Sequence, residues 1–293
     1  MRIGVVLLSL LLCANSIVVA QRVERSNSEL FSKKPYSKII AQSGNHVFFI
    51  KSNNTFNSKS AQIRLKDTKT ELVGMDTSMN QKWTVTIDLD LYAGAEIEHI
   101  VLFNQKINVF FSSIDKDGGV VNLNLLSYSM NDGAVIGAPL KIDAMRYEKR
   151  REKGLFYISQ SKSNNRLLIF HRESSDGNND FTHKDESNQD TAQEKLSFKV
   201  FGEEMQPLTD KLFPNINYIG TQSIRDLGID NEGNAFVLTS YRPSNATPAA
   251  EYKLLKCGSK EHKLKDFKIK LTGKSINDLK VVIDNLNGNV VVG

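Results

Sequence analysis

Short apolar runs broken by turn residues recur along this chain. The clearest example is Asp226 to Ser240, where two apolar runs flank Asp230-Asn-Glu-Gly233-Asn234, residues that tolerate positive φ. This pattern predicts a β-hairpin. The same order appears near the start of the folded part, with Ile39-Ile40, the turn Gln42-Ser-Gly-Asn45 and Val47 to Ile50. Two alternating stretches follow: Ala61, Ile63 and Leu65, then Trp83, Val85, Ile87 and Leu89. A period of two is what a strand with one buried face produces. The first unit therefore holds four expected strands.

A second unit contains Ile97 to Phe103, Ile107 to Phe111, the turn Asp115-Lys-Asp-Gly-Gly119, alternating Val121, Leu123 and Leu125, and a run to Ile142. The third offers Leu155 to Ile158, Leu167 to Phe170, a long polar insertion, and alternating Leu196, Phe198 and Val200. The fourth contains the opening hairpin, Tyr252 to Leu255, then Phe267, Ile269 and Leu271. A fifth begins with Ile276 to Ile283 and turns through Asp284-Asn-Leu-Asn-Gly288-Asn289 into Val290 to Val292. Aligning the second strands places Val47, Val109, Leu167, Phe236 and Val291 together, at spacings 109−47=62, 167−109=58, 236−167=69 and 291−236=55.

Four strands repeating at such an interval predict the blades of a β-propeller, longer than the roughly 40–50 residues of compact blades. A blade is covered on both faces, so its middle strands read as continuous apolar runs while the outer ones alternate. The structural rival is a β-sandwich, which predicts no recurring Asp/Asn-Gly-Asn turn at one place in each unit. The expected fold class is all-β, a propeller-like array of four-stranded blades at approximately 38–92, 93–150, 151–215 and 216–272, with a fifth truncated one at 273–293.

These repeats, above all Asp226 to Thr239 and Ile276 to Val292, resemble the blades of secreted bacterial β-propeller repeat proteins, a loosely related group mostly without an assigned activity. The resemblance covers Lys38 to Gly293 and implies fold and compartment only. No Trp-Asp signature of WD40 blades occurs, and no complete Ser-x-Asp-x-Gly-x-x-Trp box of sialidase blades.

The first twenty residues alter the picture of where the chain works. Arg2 precedes an apolar run from Ile3 to Ala14, and Val18-Val19-Ala20 precedes Gln21, the pattern of a secretory signal peptide over 1–20. The run is shorter than the roughly 20 apolar residues of a membrane span. A polar leader over 21–37 is expected to be flexible. Removing the signal takes Arg2 from the 38 basic residues and leaves 33 acidic ones, 37−33=+4, a mild balance that does not single out nucleic acid. It also removes Cys13, so Cys257 alone remains and no intramolecular disulfide forms. A chain of this length can be held by its core. Gly293 follows Val292 part of the way through the fifth unit. The sequence is therefore expected to be a piece of a longer chain, the alternative being an open arc with an exposed edge strand.

Candidate chemistry is sparse. His46, His99, His171, His183 and His262 show no metal-ligand spacing. The insertion Ser174 to Lys195 carries Asp176, Asp180, Asp185, Glu186, Asp190 and Glu194, readable as a calcium loop or, more simply, as a solvated connection. Asp115-Lys-Asp117-Gly118 lacks the glutamate of an EF-hand and predicts a turn. Cys257-Gly-Ser reads as a lone thiol, and no Gly-x-Ser-x-Gly elbow is present. A carboxylate pair for glycoside cleavage is defined in space, so local spacing is silent on it. From Ala249 to Lys280, Lys253, Lys256, Lys260, Lys263, Lys265, Lys268, Lys270, Lys274 and Lys280 face four acids, 9−4=+5. Such a patch suits an anionic surface, or guards an outermost strand against sheet pairing. Lys149 to Lys153 reads as a solvated loop, and Asn53-Asn-Thr55 and Asn245-Ala-Thr247 match a glycosylation pattern.

The expected function is therefore a secreted or cell-envelope binding or scaffolding module. No catalytic, cofactor-binding or metal-binding residue is assigned, and no cofactor is expected. The alternatives are a propeller-fold enzyme acting on extracellular glycans and an architectural segment of a larger surface protein. The expected partner is an extracellular glycan or protein, with no nucleic acid, no transmembrane segment after signal removal, and a monomeric domain.

Overall fold

In the computed structural model, the residues described are 36–53, 69–146, 155–174, 194–214, 221–242, 251–270 and 279–293. All secondary structure among them is β, arranged as four four-stranded antiparallel sheets and one two-stranded sheet. The first contains β1 (Tyr36–Ser43), β2 (His46–Ser52), β3 (Glu71–Asp76) and β4 (Gln81–Thr86). The second contains β5 (Glu96–Phe103), β6 (Lys106–Asp115), β7 (Val120–Ser129) and β8 (Val135–Arg146), and the third β9 (Tyr157–Gln160), β10 (Leu167–Ser174), β11 (Glu194–Phe201) and β12 (Pro207–Pro214). The fourth is β13 (Thr221–Ile229), β14 (Ala235–Arg242), β15 (Glu251–Cys257) and β16 (Leu264–Ile269), followed by the hairpin β17 (Val281–Asp284) and β18 (Asn289–Val292).

In every sheet the strands neighbour one another in chain order. Their side chains then alternate between two faces, and each face meets an adjoining sheet. Phe48, Ile50 and Leu72 of the first sheet pack on Ile97, Ile107, Val109 and Phe111 of the second. The opposite face of the second sheet, with Phe103, Phe110 and Leu123, packs on Phe156, Leu167 and Ile169 of the third. Leu168, Phe170 and Phe198 meet Leu227, Ala235 and Val237 of the fourth, whose Phe236 and Leu238 meet Val281, Ile283, Val290 and Val292 of the hairpin. Residues of β1 also touch β5, β5 touches β9, β9 touches β13 and β13 touches β17. The first strands therefore gather on one side while the fourth strands splay outward. Face-to-face stacking in chain order, with first strands innermost, makes the chain a propeller-like array of blades. Each fully buried Phe or Leu of these interfaces contributes about 1.5–3 kcal/mol by leaving water, and no disulfide is needed.

The connections sort by end. First-to-second and third-to-fourth strands are joined at one end by tight turns; second-to-third strands and successive sheets are joined at the other. At the tight end, Asp76 and Asp230 head the same motif. The amide of each donates to the carbonyl four residues on, Asn80 or Asn234, at 3.0 Å. The carboxylate of each accepts the amide of that same asparagine, at 2.8 and 2.7 Å. The fourth residue has positive φ, Met79 at 64° and Gly233 at 90°. Glycine is at ease in that conformation, whereas the methionine side chain costs roughly 1 kcal/mol there.

Several expectations need adjustment. The stretch Ala61 to Leu65 lies outside the described residues, and the third strand of the first sheet that is seen is Glu71–Asp76. Its alternation is interrupted by Gly74, where a Cβ would stand 2.3 Å from the ring of Trp83. The single tryptophan lies between Gly74 and Gly133 of the next sheet, and its indole N–H donates to the Met130 carbonyl at 3.3 Å. The strand β1 begins at Tyr36, two residues inside the expected leader. The fourth strand of the third sheet, Pro207–Pro214, was not marked by any apolar run, because Leu208 and Leu212 of this edge strand are about half exposed. Residues 1–20, 147–154, 175–193, Asn245 and Lys274 lie outside the described set.

Candidate functional site at the junction of the second and third sheets

Two departures from regular pairing shape β8. Leu125 opposes Leu140 while Ser127 opposes Ile136, so Gly137, Ala138 and Pro139 together face Leu126 alone. Proline and this bulge deny the outer edge to another strand. Further on, Asn124 opposes Lys141 and Leu123 opposes Asp143, leaving Ile142 as an extra residue. Asp143 thereby shares the inward face with Leu123 and Met145, aimed at the third sheet, and only 4% of its surface remains exposed.

The third sheet supplies the partners. His171 continues the face of Leu167 and Ile169 on β10, and its Nε2 lies 3.3 Å from Asp143 Oδ2. Lys199 of β11, directly opposite Ile169, donates from Nζ to Asp143 Oδ1 at 2.7 Å. That oxygen also accepts the Ala144 amide at 2.7 Å. On its other side the Lys199 ammonium stands 3.5 Å from Asp210 Oδ2 of β12. The His171 ring meets Phe156 edge-on, with centroids 5.3 Å apart. Burial on its own would raise the Asp143 carboxyl, but the His171 contact and the Lys199 bond outweigh it and hold the carboxyl below its ordinary value. Burial likewise pulls the Lys199 ammonium down, and Asp143 first, then Asp210, reverse this and hold it above its ordinary value. The aspartate is thus ionised and the lysine charged across the neutral range.

Lys199 and Asp210 border a groove of about 300 Å³ between β8 and the β11–β12 hairpin. Its walls are mostly apolar, from Leu140 and Ile142 on one side and Phe201, Met205 and Pro207 on the other, with Lys141 and Thr209 among them. Leu140 is 52% exposed at the rim. His171 is only 2% exposed, so a dissolved substrate does not reach its imidazole while the two sheets stay together. What is presented to solvent is the lysine–aspartate pair, rigidly backed by Asp143. This arrangement suits orientation of a ligand's polar group over an apolar bed.

Elsewhere, bulges in β5 and β13 perform equivalent tasks. Glu98, the extra residue between Ile97 and His99, accepts from Ser112 Oγ at 2.5 Å. Arg225, the extra residue between Ile224 and Asp226, donates to Ser240 Oγ at 2.6 Å. Both serines sit on the second strand, opposite the position two residues before the bulge. Burial pulls the neighbouring His99 imidazole down to about 4, and the Lys38 charge on β1 adds to the effect. Cys257 is buried in the core between the third and fourth sheets, and burial pushes its thiol up to about 11. The Asp115 carboxylate accepts the Gly118 amide at 3.1 Å, as a turn would. Among the described residues no group of three or more His, Cys, Asp or Glu side chains is placed to hold a metal. His183 and the acidic insertion at 175–193 lie outside them.

Local sequence does not mark the Asp143, His171 and Lys199 grouping, because its members are separated by 171−143=28 and 199−171=28 residues and meet only across two sheets. One signal was available for His171 alone, a polar residue that directly continues the buried apolar run Leu167 to Phe170.

No family model matches the chain, and no curated protein matches it. Among solved structures it is similar to a thermostable family-43 glycoside hydrolase, at 11% identity and TM-score 0.42, covering 88% of this chain and 84% of that one. It is also similar to the β-propeller domain of the Trilobed protease from Pyrococcus furiosus, at 10% identity and TM-score 0.39, covering 85% and 60%. A third similarity, to an endo-arabinase from Bacteroides thetaiotaomicron, has 9% identity and TM-score 0.43, covering 87% of each chain. The fold assignment rests on the sheets and their packing described above.

Proposed function

We propose that this chain is a secreted or cell-envelope binding module, exported by its first twenty residues, that holds an extracellular glycan or protein ligand in the groove between the second and third sheets. One observation carries the reading: the Lys199 ammonium is fixed 2.7 Å from a buried carboxylate and beside Asp210, at the border of a groove with mostly apolar walls. A charged pair held in place before the ligand arrives loses little entropy on binding, which favours recognition. Asp143, which accepts from Lys199 and the Ala144 amide, and the His171 imidazole beside it are shielded from solvent, which supports holding over bond breaking.

The test is a panel of immobilised extracellular oligosaccharides and peptides probed with the wild type and with Leu140→Glu, a change at an exposed rim position. The reading expects a ligand whose affinity falls about tenfold or more in the variant, the equivalent of about 1.4 kcal/mol. A ligand held equally by both proteins would place binding elsewhere. Release of sugar or peptide fragments by the wild type would replace the module with an enzyme.

A further inference from the structure

The groove beside Lys199 has an apolar end and a charged end at a set separation. On β11, Phe201 and Lys199 stand two residues apart and share the face turned to the second sheet. Across the ladder to β12, Phe201 opposes Pro207 and Lys199 opposes Asp210. Two strand positions span about 6.7 Å. The apolar end is completed by Leu140 and Met205. Met205 holds its place from a left-handed backbone position, φ 58°, a conformation that costs every residue but glycine. It supplies a pliable thioether wall that adapts to the shape of what lies against it.

The charge at the other end is negative. Lys199 Nζ is 2.7 Å from the buried Asp143 and 3.5 Å from Asp210. One ammonium thus serves two carboxylates, and the nearer, buried one holds it more closely. Asp210 keeps a side chain 64% exposed, with acceptor capacity open to a second cation. Lys141 also borders the groove, but it opposes Asn124, which alternates with the inward Leu123 and Leu125, so its side chain sets out from the face turned to the first sheet.

Two features narrow the class of ligand. A sugar ring is held by laying its C–H face on an open aromatic ring, and Phe201, the one aromatic ring of the groove, is only 5% exposed. Aliphatic walls suit an aliphatic side chain instead. Nor does either bordering edge offer its backbone: Pro139 and a bulge interrupt β8, and β12 has proline at both ends. Recognition here falls to side chains.

We propose, on the footing that this groove is where the chain binds, that its occupant is an extended segment of a partner protein. The segment places an aliphatic side chain against Phe201 and Met205 and, two residues away, a lysine or arginine at Asp210. An extended backbone sets residues two apart on one face, which matches the separation of the two ends.

The experiment uses the full chain and end-blocked, fluorescein-labelled nine-residue peptides of threonine, the first carrying valine and arginine two positions apart at its centre. Anisotropy should show saturable binding of that peptide. Glutamate in place of its arginine should weaken binding about tenfold or more, because an attraction at Asp210 becomes a repulsion. Threonine in place of its valine should weaken binding about as much. Asp210→Lys, at an exposed side chain, should reverse the preference toward the glutamate peptide. Met205→Gly, which the backbone accommodates at that φ, should weaken the valine peptide about fivefold or more and leave the threonine control unchanged. Absence of saturable binding of the first peptide overturns the proposal. An oligosaccharide weakened by Leu140→Glu, with no peptide bound, would do so while leaving the groove as the binding site. Equal affinity for the arginine and glutamate peptides, or a preference for glutamate that assigns the choice to Lys141 or Lys199, would also overturn it. Binding of the first peptide unchanged in both Met205→Gly and Asp210→Lys would place binding elsewhere and sink the groove as well.

Discussion

The junction between the second and third sheets and the junction between the fourth sheet and the hairpin use the same parts, apolar side chains alternating on two facing pleated surfaces. They differ in coverage. Four strands lie on four in the first, and Asp143 and His171 are almost wholly withdrawn from water there. Two strands lie on four in the second, where the inner half is closed with Leu238 fully buried and the outer half leaves Phe267 half exposed. Full coverage makes the Asp143 carboxylate depend on the Lys199 ammonium, which keeps some contact with water at the groove, and makes that bond expensive to break. Among the described residues the polar links across the partly covered junction end on backbone amides, Asp226 Oδ2 accepting the Val281 N–H at 2.8 Å and Asn285 Oδ1 accepting the Asn231 N–H at 2.8 Å.

The largest expected effect comes from breaking the sealed junction's charge pairing. Asp143→Ala takes from Lys199 its buried partner, leaving it Asp210 at the groove, and opens a cavity beside His171, and should cost about 3–5 kcal/mol in urea unfolding. A loss below about 1 kcal/mol would mean that water reaches the cluster. Next, coverage can be compared through equal cavities. Leu167→Ala, between the second and third sheets, should cost about 3 kcal/mol or more, and Leu238→Ala, beneath the hairpin, about 1 kcal/mol less, because a partly covered site collapses more readily. Equal losses would remove the distinction between the junctions.

A smaller effect is expected where the third sheet is fastened to the fourth. Lys211 Nζ on β12 donates to the carbonyls of Gly258, Ser259 and Glu261 at 2.7, 3.0 and 2.6 Å. Lys211→Met should cost about 2 kcal/mol, since hydrogen bonds to a charged group contribute about 1.5–3 kcal/mol. Thermal unfolding of the variant checks this. The smallest effect is on pH dependence. The Asp143 carboxyl is held below its ordinary 3.8, so its contribution is complete above that value and fades as pH falls through the lower folded value. Lys199 is held above its ordinary 10.5, so its contribution is complete below 10.5 and fades as pH rises through the higher folded value. The stability gap between wild type and Asp143→Asn should therefore be flat across neutral pH and narrow on strong acidification. A gap that widened in acid would contradict the assignment.

Much of the fold was legible because burial on both faces leaves a plain mark. The run Leu167 to Phe170 is apolar without interruption and Ile107 to Phe111 is broken only by Asn108; they belong to the covered second strands β10 and β6. Legibility failed at an edge strand and at one inner strand. Pro207–Pro214 has no apolar run to show, and Glu71–Asp76 carries a glycine where Trp83 needs room. Phe267 was expected to alternate inward with Ile269 and Leu271; it does lie on the face toward the hairpin, but the hairpin is too narrow to reach it. The Lys199 site was invisible for another reason. It is assembled by the bulge at Ile142 and by the stacking of two sheets, and neither is encoded within a few residues of any member.

Hydrogen exchange followed by mass spectrometry tests the contrast in coverage most directly. Amides of β6, β10 and β11 should exchange only with global unfolding, while those of β17 and β18 should open locally and exchange orders of magnitude faster. Exchange of β17 and β18 as slow as that of β10 would contradict the account.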